Sequence, residues 1–200
     1  MEKRYLKFFL LILILTICAM TSGCSANGKQ ASEKAGDNNT QPNDLTDNAI
    51  FDLYNQIDIN DKKADIEKDL GATGNTSAEG SYVYLDPDTG YAVNVFFNAK
   101  DLVTLKVLVP TTGARELIEL SNASVTKEAA AKISQGMTQS NVKKALTGQG
   151  IEMLRMVIPS GADKEAYALA WINADGSVLV VTFDSDTNTV LAAEFKESLF

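Results

Sequence analysis

Two stretches of this 200-residue chain carry the same spacing of aliphatic residues, and that internal repeat constrains the fold more than any single motif does. Ile57, Ile66 and Leu70 are matched by Ile133, Val142 and Leu146, each pair 76 residues apart. Further along, Gly90, Val93, Val95 and Phe97 are matched by Gly176, Leu179, Val181 and Phe183 at a separation of 86. The change of offset implies an insertion of about ten residues in the second copy, near the loop Pro159 to Lys164.

Each copy reads as two helices followed by three or four strands. Ile50, Leu53, Tyr54 and Ile57 follow the i, i+3, i+4, i+7 spacing of an apolar helix stripe, with Thr46 or Asp47 placed to cap its start. A second short helix carries Ile66 and Leu70 and stops at Gly71. In the second copy Thr126 and Thr138 stand at N-cap positions, and Gly148 ends the second helix. Period-two alternation predicts strands over 82–86, 91–98 and 102–109, then over 151–158, 166–172, 177–184 and 189–195. The turns Pro87-Asp88-Thr89-Gly90 and Asn173-Ala174-Asp175-Gly176 make both central connections hairpins, while 75–80 reads as loop or as a fourth strand. The expected fold class is therefore α+β: two tandem units, over 45–120 and 121–200, each a helix-turn-helix packed on an antiparallel three- or four-stranded sheet.

The stretch Ile133-Ser134-Gln135-Gly136-Met137-Thr138, followed by Val142 and Leu146, resembles the opening of units in the superfamily of the β-lactamase inhibitor protein and the SmpA/OmlA outer-membrane-assembly lipoproteins. The first copy has Asn60-Asp61-Lys62 in place of Gly-Met-Thr. The resemblance implies a helix-turn-helix on an antiparallel sheet over residues 45–200. It also implies either inhibition of a secreted enzyme or a role in envelope assembly.

The N-terminus gives an address. Lys3, Arg4 and Lys7 precede an apolar run from Phe8 to Met20, which meets the small residues Thr21, Ser22 and Gly23 in the order of a signal peptide. As a helix the run spans about 20 Å, short of the roughly 30 Å hydrocarbon core. Ser22-Gly23-Cys24 resembles the lipobox of bacterial lipoprotein precursors, with Thr21 where leucine is usual, and implies cleavage after Gly23 and acylation of Cys24. Removing residues 1–23 takes away Lys3, Arg4, Lys7 and Glu2 and moves the net charge from −8 to −10. Anionic head groups repel such a chain, so the expected membrane contact is the acyl anchor, on the extracytoplasmic face of a cell or outer membrane. Residues 24–44 hold the lipidated cysteine and a tether of Ser, Asn, Gly, Gln, Lys, Asp and Thr, with a mean reach of roughly 25 Å.

Composition removes whole classes of function. There is no histidine, which excludes Ser-His-Asp and Cys-His catalysis and imidazole metal sites. The negative charge argues against a nucleic-acid partner. Phosphate-cradling, dinucleotide, zinc and nucleophile-elbow motifs are absent from the sequence, and Ser160 with Lys164 falls in a glycine-containing loop of solvated polar residues. Asp184, Asp186 and Asn188 share the first half of a calcium loop, but Thr189 replaces its glycine and Phe195 its glutamate. They and the Asp86/Asp88 pair read as turn formers. No catalytic residue, metal or cofactor is expected.

What remains is a binding face. Alternation places Val83, Leu85, Val93, Val95, Phe97, Leu105 and Val107 toward the helices, leaving Tyr82, Tyr84, Asn94, Phe96 and Lys106 on an open face, with Arg155 on the open face of the second copy. Tyrosine, phenylalanine and arginine on one exposed sheet suit a protein partner, and the same aromatics equally suit cross-strand pairing or cover by other parts of the chain. The expectation is a non-catalytic, lipid-anchored module that binds an extracytoplasmic protein through Tyr82, Tyr84, Asn94, Phe96, Lys106 and Arg155.

Overall fold

The computed structural model describes residues 48–158 and 164–198; the leader, Cys24, the tether and Ser160 lie outside the described residues. Eight antiparallel strands form one sheet in simple chain order: β1 (Asn75–Thr76), β2 (Tyr82–Asp86), β3 (Tyr91–Phe97), β4 (Val103–Pro110), β5 (Ile151–Val157), β6 (Glu165–Ile172), β7 (Val178–Asp184) and β8 (Val190–Lys196). The region 75–80 contributes the short β1, which pairs through Asn75↔Val83 and Thr76↔Tyr82.

This corrects the expectation of two tandem helix-turn-helix units on separate sheets. The last strand of the first half and the first strand of the second pair directly, through Leu105↔Met156, Lys106↔Arg155 and Val107↔Leu154. Two separate sheets would each present an edge of unpaired backbone N–H and C=O groups there, and joining them satisfies both edges. Short helices accompany the sheet: a 3₁₀ turn Ala49–Phe51 running into α1 (Asp52–Asn55), α2 (Lys63–Leu70), α3 (Arg115–Ser121), α4 (Lys127–Ala130) and α5 (Gln139–Ala145). Left-handed residues stop two of them, Gly71 after α2 and Asn122 after α3. None of the described helices is long and apolar enough to cross a membrane.

The chain enters its first described turn through Asn48, whose side chain accepts from the Ile50 N–H; the cap candidates Thr46 and Asp47 lie outside the described residues. In the second half Thr126 and Thr138 cap α4 and α5 as expected, accepting from the N–H groups of Ala129 and Asn141. One apolar cluster gathers Ile50, Tyr54, Ile57 and Ile66 with Tyr84, Val93, Val95 and Leu108. Its counterpart gathers Ile133, Val142 and Leu146 with Trp171, Leu179, Val181 and Phe183. Fully burying side chains of this size stabilises by about 1.5 to 3 kcal/mol each.

The faces of β2 and β4 are the reverse of the alternation reading, and a turn length explains β2. In the second hairpin Trp171 pairs with Leu179, and in the first Tyr84 pairs with Val93. Trp171 is therefore the structural counterpart of Tyr84, not of Leu85, because the second turn (173–177) is one residue longer than the first (87–90). A slip of one residue moves every side chain to the other face. Tyr82 and Tyr84 point under the helices, and Leu85 is 55% exposed. In β4, Leu105, Val107 and Val109 join Leu154, Met156, Ala166 and Ala168 in a third apolar cluster on the face opposite Lys106 and Leu108. Among the described residues, no helix contributes to that cluster.

Candidate functional site

The six proposed contact residues do not share one surface. Tyr82, Tyr84, Lys106 and Arg155 lie on the face that carries α1 and α2, while Asn94 and Phe96 lie on the other. Tyr82 is half-buried, edge-on to the Phe97 ring at 5.4 Å, with the Lys63 ammonium 3.6 Å above its own ring. Tyr84 is buried in the core, and burial first, then the charge of Glu67, pushes its hydroxyl up to about 12. Asn94 is wholly buried, and its amide has no hydrogen-bond partner among the described residues. Phe96 is half-buried at the edge of the third apolar cluster. An exposed aromatic patch through Tyr82, Tyr84 and Phe96 is therefore not present.

The structure does bring Lys106 and Arg155 together. They are register partners across the β4–β5 seam, and they line a cleft of about 380 Å³ between α1 and the start of β5. Phe51, Ile59 and Ile151 form its apolar wall; Tyr54, read from the sequence as part of an apolar helix stripe, adds its hydroxyl, and Asp58, Glu152 and Glu165 add carboxylates that the sequence pattern did not single out. The volume falls at the lower end of the roughly 300–1,000 Å³ common for small-ligand sites.

Lys106 is buried, yet all its hydrogen-bonding is internal. Its ammonium donates to the Tyr54 carbonyl at 2.9 Å and the Ile57 carbonyl at 2.5 Å, sits 4.1 Å from the centre of the Tyr54 ring, and lies 3.8 Å from Asp58 Oδ1. The Tyr54 carbonyl belongs to the last turn of α1, where it also accepts from the Ile57 N–H at 3.4 Å, and the Ile57 carbonyl lies just past that helix, so a cation is favourable there. Burial pulls the Lys106 ammonium below its usual value, against the opposing charges of Asp58 and Glu152.

Glu152 is the hub of the opposite wall. Its Oε1 accepts from the Tyr54 hydroxyl at 3.0 Å and from Arg155 Nε at 2.9 Å, and its Oε2 accepts from Arg155 Nη2 at 2.9 Å. Burial, reinforced by Glu152, holds the Tyr54 hydroxyl well above the ordinary tyrosine range. Burial disfavours the charged Arg155 guanidinium, but the bidentate Glu152 contact outweighs it and the net shift is upward. Arg155 also faces Glu165 at 3.8 Å and lies 5.4 Å above the Tyr167 ring. The outcome is a partly buried network that ties α1 to β5 across the seam.

Both acidic sequence clusters are occupied with their own turns. Asp184 Oδ1 accepts from the N–H groups of Asp186 and Thr187 and from the Thr187 hydroxyl, while Asn188 accepts from the Tyr167 hydroxyl. Those bonds hold the Asp184 carboxyl below its usual value. Asp86 Oδ1 accepts from the N–H groups of Asp88 and Thr89.

Compared with known proteins, the chain matches no protein-family model, and no curated protein sequence matches it.

Proposed function

We propose that the chain is an extracytoplasmic, lipid-anchored protein-binding module without catalytic activity, tethered to a membrane through an acylated Cys24. The observation that carries this reading is the seam cleft, in which the cationic groups are spent on the protein's own acceptors. A lysine whose ammonium serves two carbonyls, and an arginine held bidentate by Glu152, are placed to fix shape rather than to move protons. The order of charge, apolar run and Ser22-Gly23-Cys24 in the sequence supports the membrane address. The pattern from Ile133 to Leu146 favours, as the second reading, an inhibitor of a secreted enzyme or an envelope-assembly factor.

The test pairs localisation with capture in the native organism. The wild-type chain should incorporate labelled palmitate and sediment with membranes, while Cys24→Ser should do neither. Cross-linked membranes should yield one reproducible protein partner with wild type and lose it when Asp58→Asn and Glu165→Gln are combined. A turnover activity of the purified chain that Lys106→Met abolishes would overturn the reading.

A further inference from the structure

We propose that the seam cleft receives a cationic side chain, a lysine ammonium or arginine guanidinium on its aliphatic stem, presented by the protein partner. This deepens the protein-binding reading and rests on it for the source of the cation. The argument is one of donors and acceptors. Glu152 uses both oxygens on Tyr54 and Arg155, so its negative charge is consumed within the wall. Asp58 and Glu165 are different. Each has a cation no nearer than 3.8 Å, beyond hydrogen-bond reach, so their carboxylate oxygens keep open acceptor capacity toward the cleft.

The donors are in the opposite condition. Lys106 spends two of its three N–H groups on backbone carbonyls and faces Asp58 with its ammonium, and Arg155 is bracketed by two carboxylates. An anionic ligand would meet three carboxylates against two committed cations. A cation meets two open carboxylates, and its stem meets Phe51, Ile59 and Ile151. The chain's net charge of −8 adds attraction at longer range. A side chain that is part apolar and part charged fits this lining, because long cationic residues cover apolar surface with their methylenes while the head seeks acceptors.

The test is a nuclear magnetic resonance titration of the full chain carrying Cys24→Ser, using Nα-acetyl-lysine methylamide and Nα-acetyl-arginine methylamide as probes. Nα-acetyl-norleucine methylamide serves as the neutral control, and butylammonium as the cation without a peptide backbone. Saturable shifts should centre on Tyr54, Ile59, Ile151 and the Arg155 Nε–H, with at least tenfold weaker binding of the neutral control. Combining Asp58→Asn with Glu165→Gln should weaken the cationic probes at least tenfold while resonances remote from the cleft stay in place. Equal binding of charged and neutral probes, or shifts centred elsewhere, overturns the assignment, and this comparison stands even where the double variant fails to fold. Tighter binding of butylammonium than of the blocked amino acids overturns the protein source. Absent cation binding sinks the cleft assignment even where a partner is captured, whereas cation binding with no captured partner sinks the protein-binding reading instead.

Discussion

Replacing Lys106 with methionine removes an ammonium that the sheet buries. Methionine keeps a stem of similar length and removes the ammonium, so the carbonyls of Tyr54 and Ile57 lose their charged donor. The Tyr54 carbonyl keeps a backbone donor in the Ile57 N–H at 3.4 Å and loses only its charged bond, while the Ile57 carbonyl is left unpaired at a cost of roughly 1 to 3 kcal/mol. Asp58, left without its partner, adds little because its side chain is 78% exposed. Desolvation of the ammonium, which depresses its pKa, returns part of the cost, so the net loss should be about 2 to 3 kcal/mol. For a domain of this size that corresponds to a fall of about 4 to 12 °C in Tm.

Urea unfolding of the Cys24→Ser chain, followed by the fluorescence of its single tryptophan and by far-ultraviolet dichroism, measures this directly. Trp171 is wholly buried in the apolar cluster of the second half, on β6, two strands from the substitution in β4. A joint shift of both signals in one transition is expected, because β4 and β5 make the two halves one sheet. The pH dependence has a definite sign. With its folded-state pKa depressed, Lys106 releases its proton in the folded chain before the unfolded chain does. Wild type should therefore gain on Lys106→Met as pH rises from the folded value toward 10.5. A loss below about 0.5 kcal/mol, or any stabilisation, would show that the ammonium's bonds only offset its burial and would refute the reasoning.

Two further substitutions probe the rest of the sheet. Asn173 is buried, accepts from the Val125 N–H and donates to the Val125 carbonyl and the Ser177 hydroxyl, all at 2.8 Å, so Asn173→Ala should cost about 2 to 4 kcal/mol in the same urea assay. Tyr84 keeps its hydroxyl buried and without a partner among the described residues, so Tyr84→Phe should leave stability at pH 7 unchanged or slightly higher. Above pH 10 the unfolded chain ionises this tyrosine while the folded chain holds its proton to about 12. Wild type should then lose about 2 to 3 kcal/mol between pH 10 and 12 that Tyr84→Phe retains.

Strand positions were legible because alternation and turn chemistry are local. The reading of 82–86 coincides with β2, and the turns at Gly90 and Gly176 do sit at positive φ of 72° and 84°. Facing was less legible, since a single added turn residue before Val178 reverses which of Trp171 and its neighbours corresponds to the first half. In β4 the hydropathy of Leu105, Val107 and Val109 is outweighed by packing on both faces, and Lys106 lies inward because carbonyls await it there. The joining of β4 to β5 left no local mark at all, being a matter of two edges finding each other across residues 111–150. Lys106 and Arg155 were named from the sequence, but their shared cleft needed Asp58, Glu152 and Glu165, which look like ordinary surface carboxylates, and Tyr54, whose place in an apolar stripe conceals the use of its hydroxyl.

The order of the strands has a consequence for how the molecule assembles. Every ladder joins strands that are consecutive in the chain, so most of the sheet is closed by short loops as soon as each hairpin is complete. The seam is the exception. Between β2 and β3 lie residues 87–90, whereas between β4 and β5 lie residues 111–150, a span about ten times longer that raises the entropy of closure by about 2 kcal/mol. A chain emerging N-terminus first can zip each half early and must search for the seam afterwards, with topology rather than side-chain chemistry setting the slow step. The cleft comes into being at that last closure, so an occupied cleft certifies a finished molecule, and a half-folded chain has nothing to offer a partner.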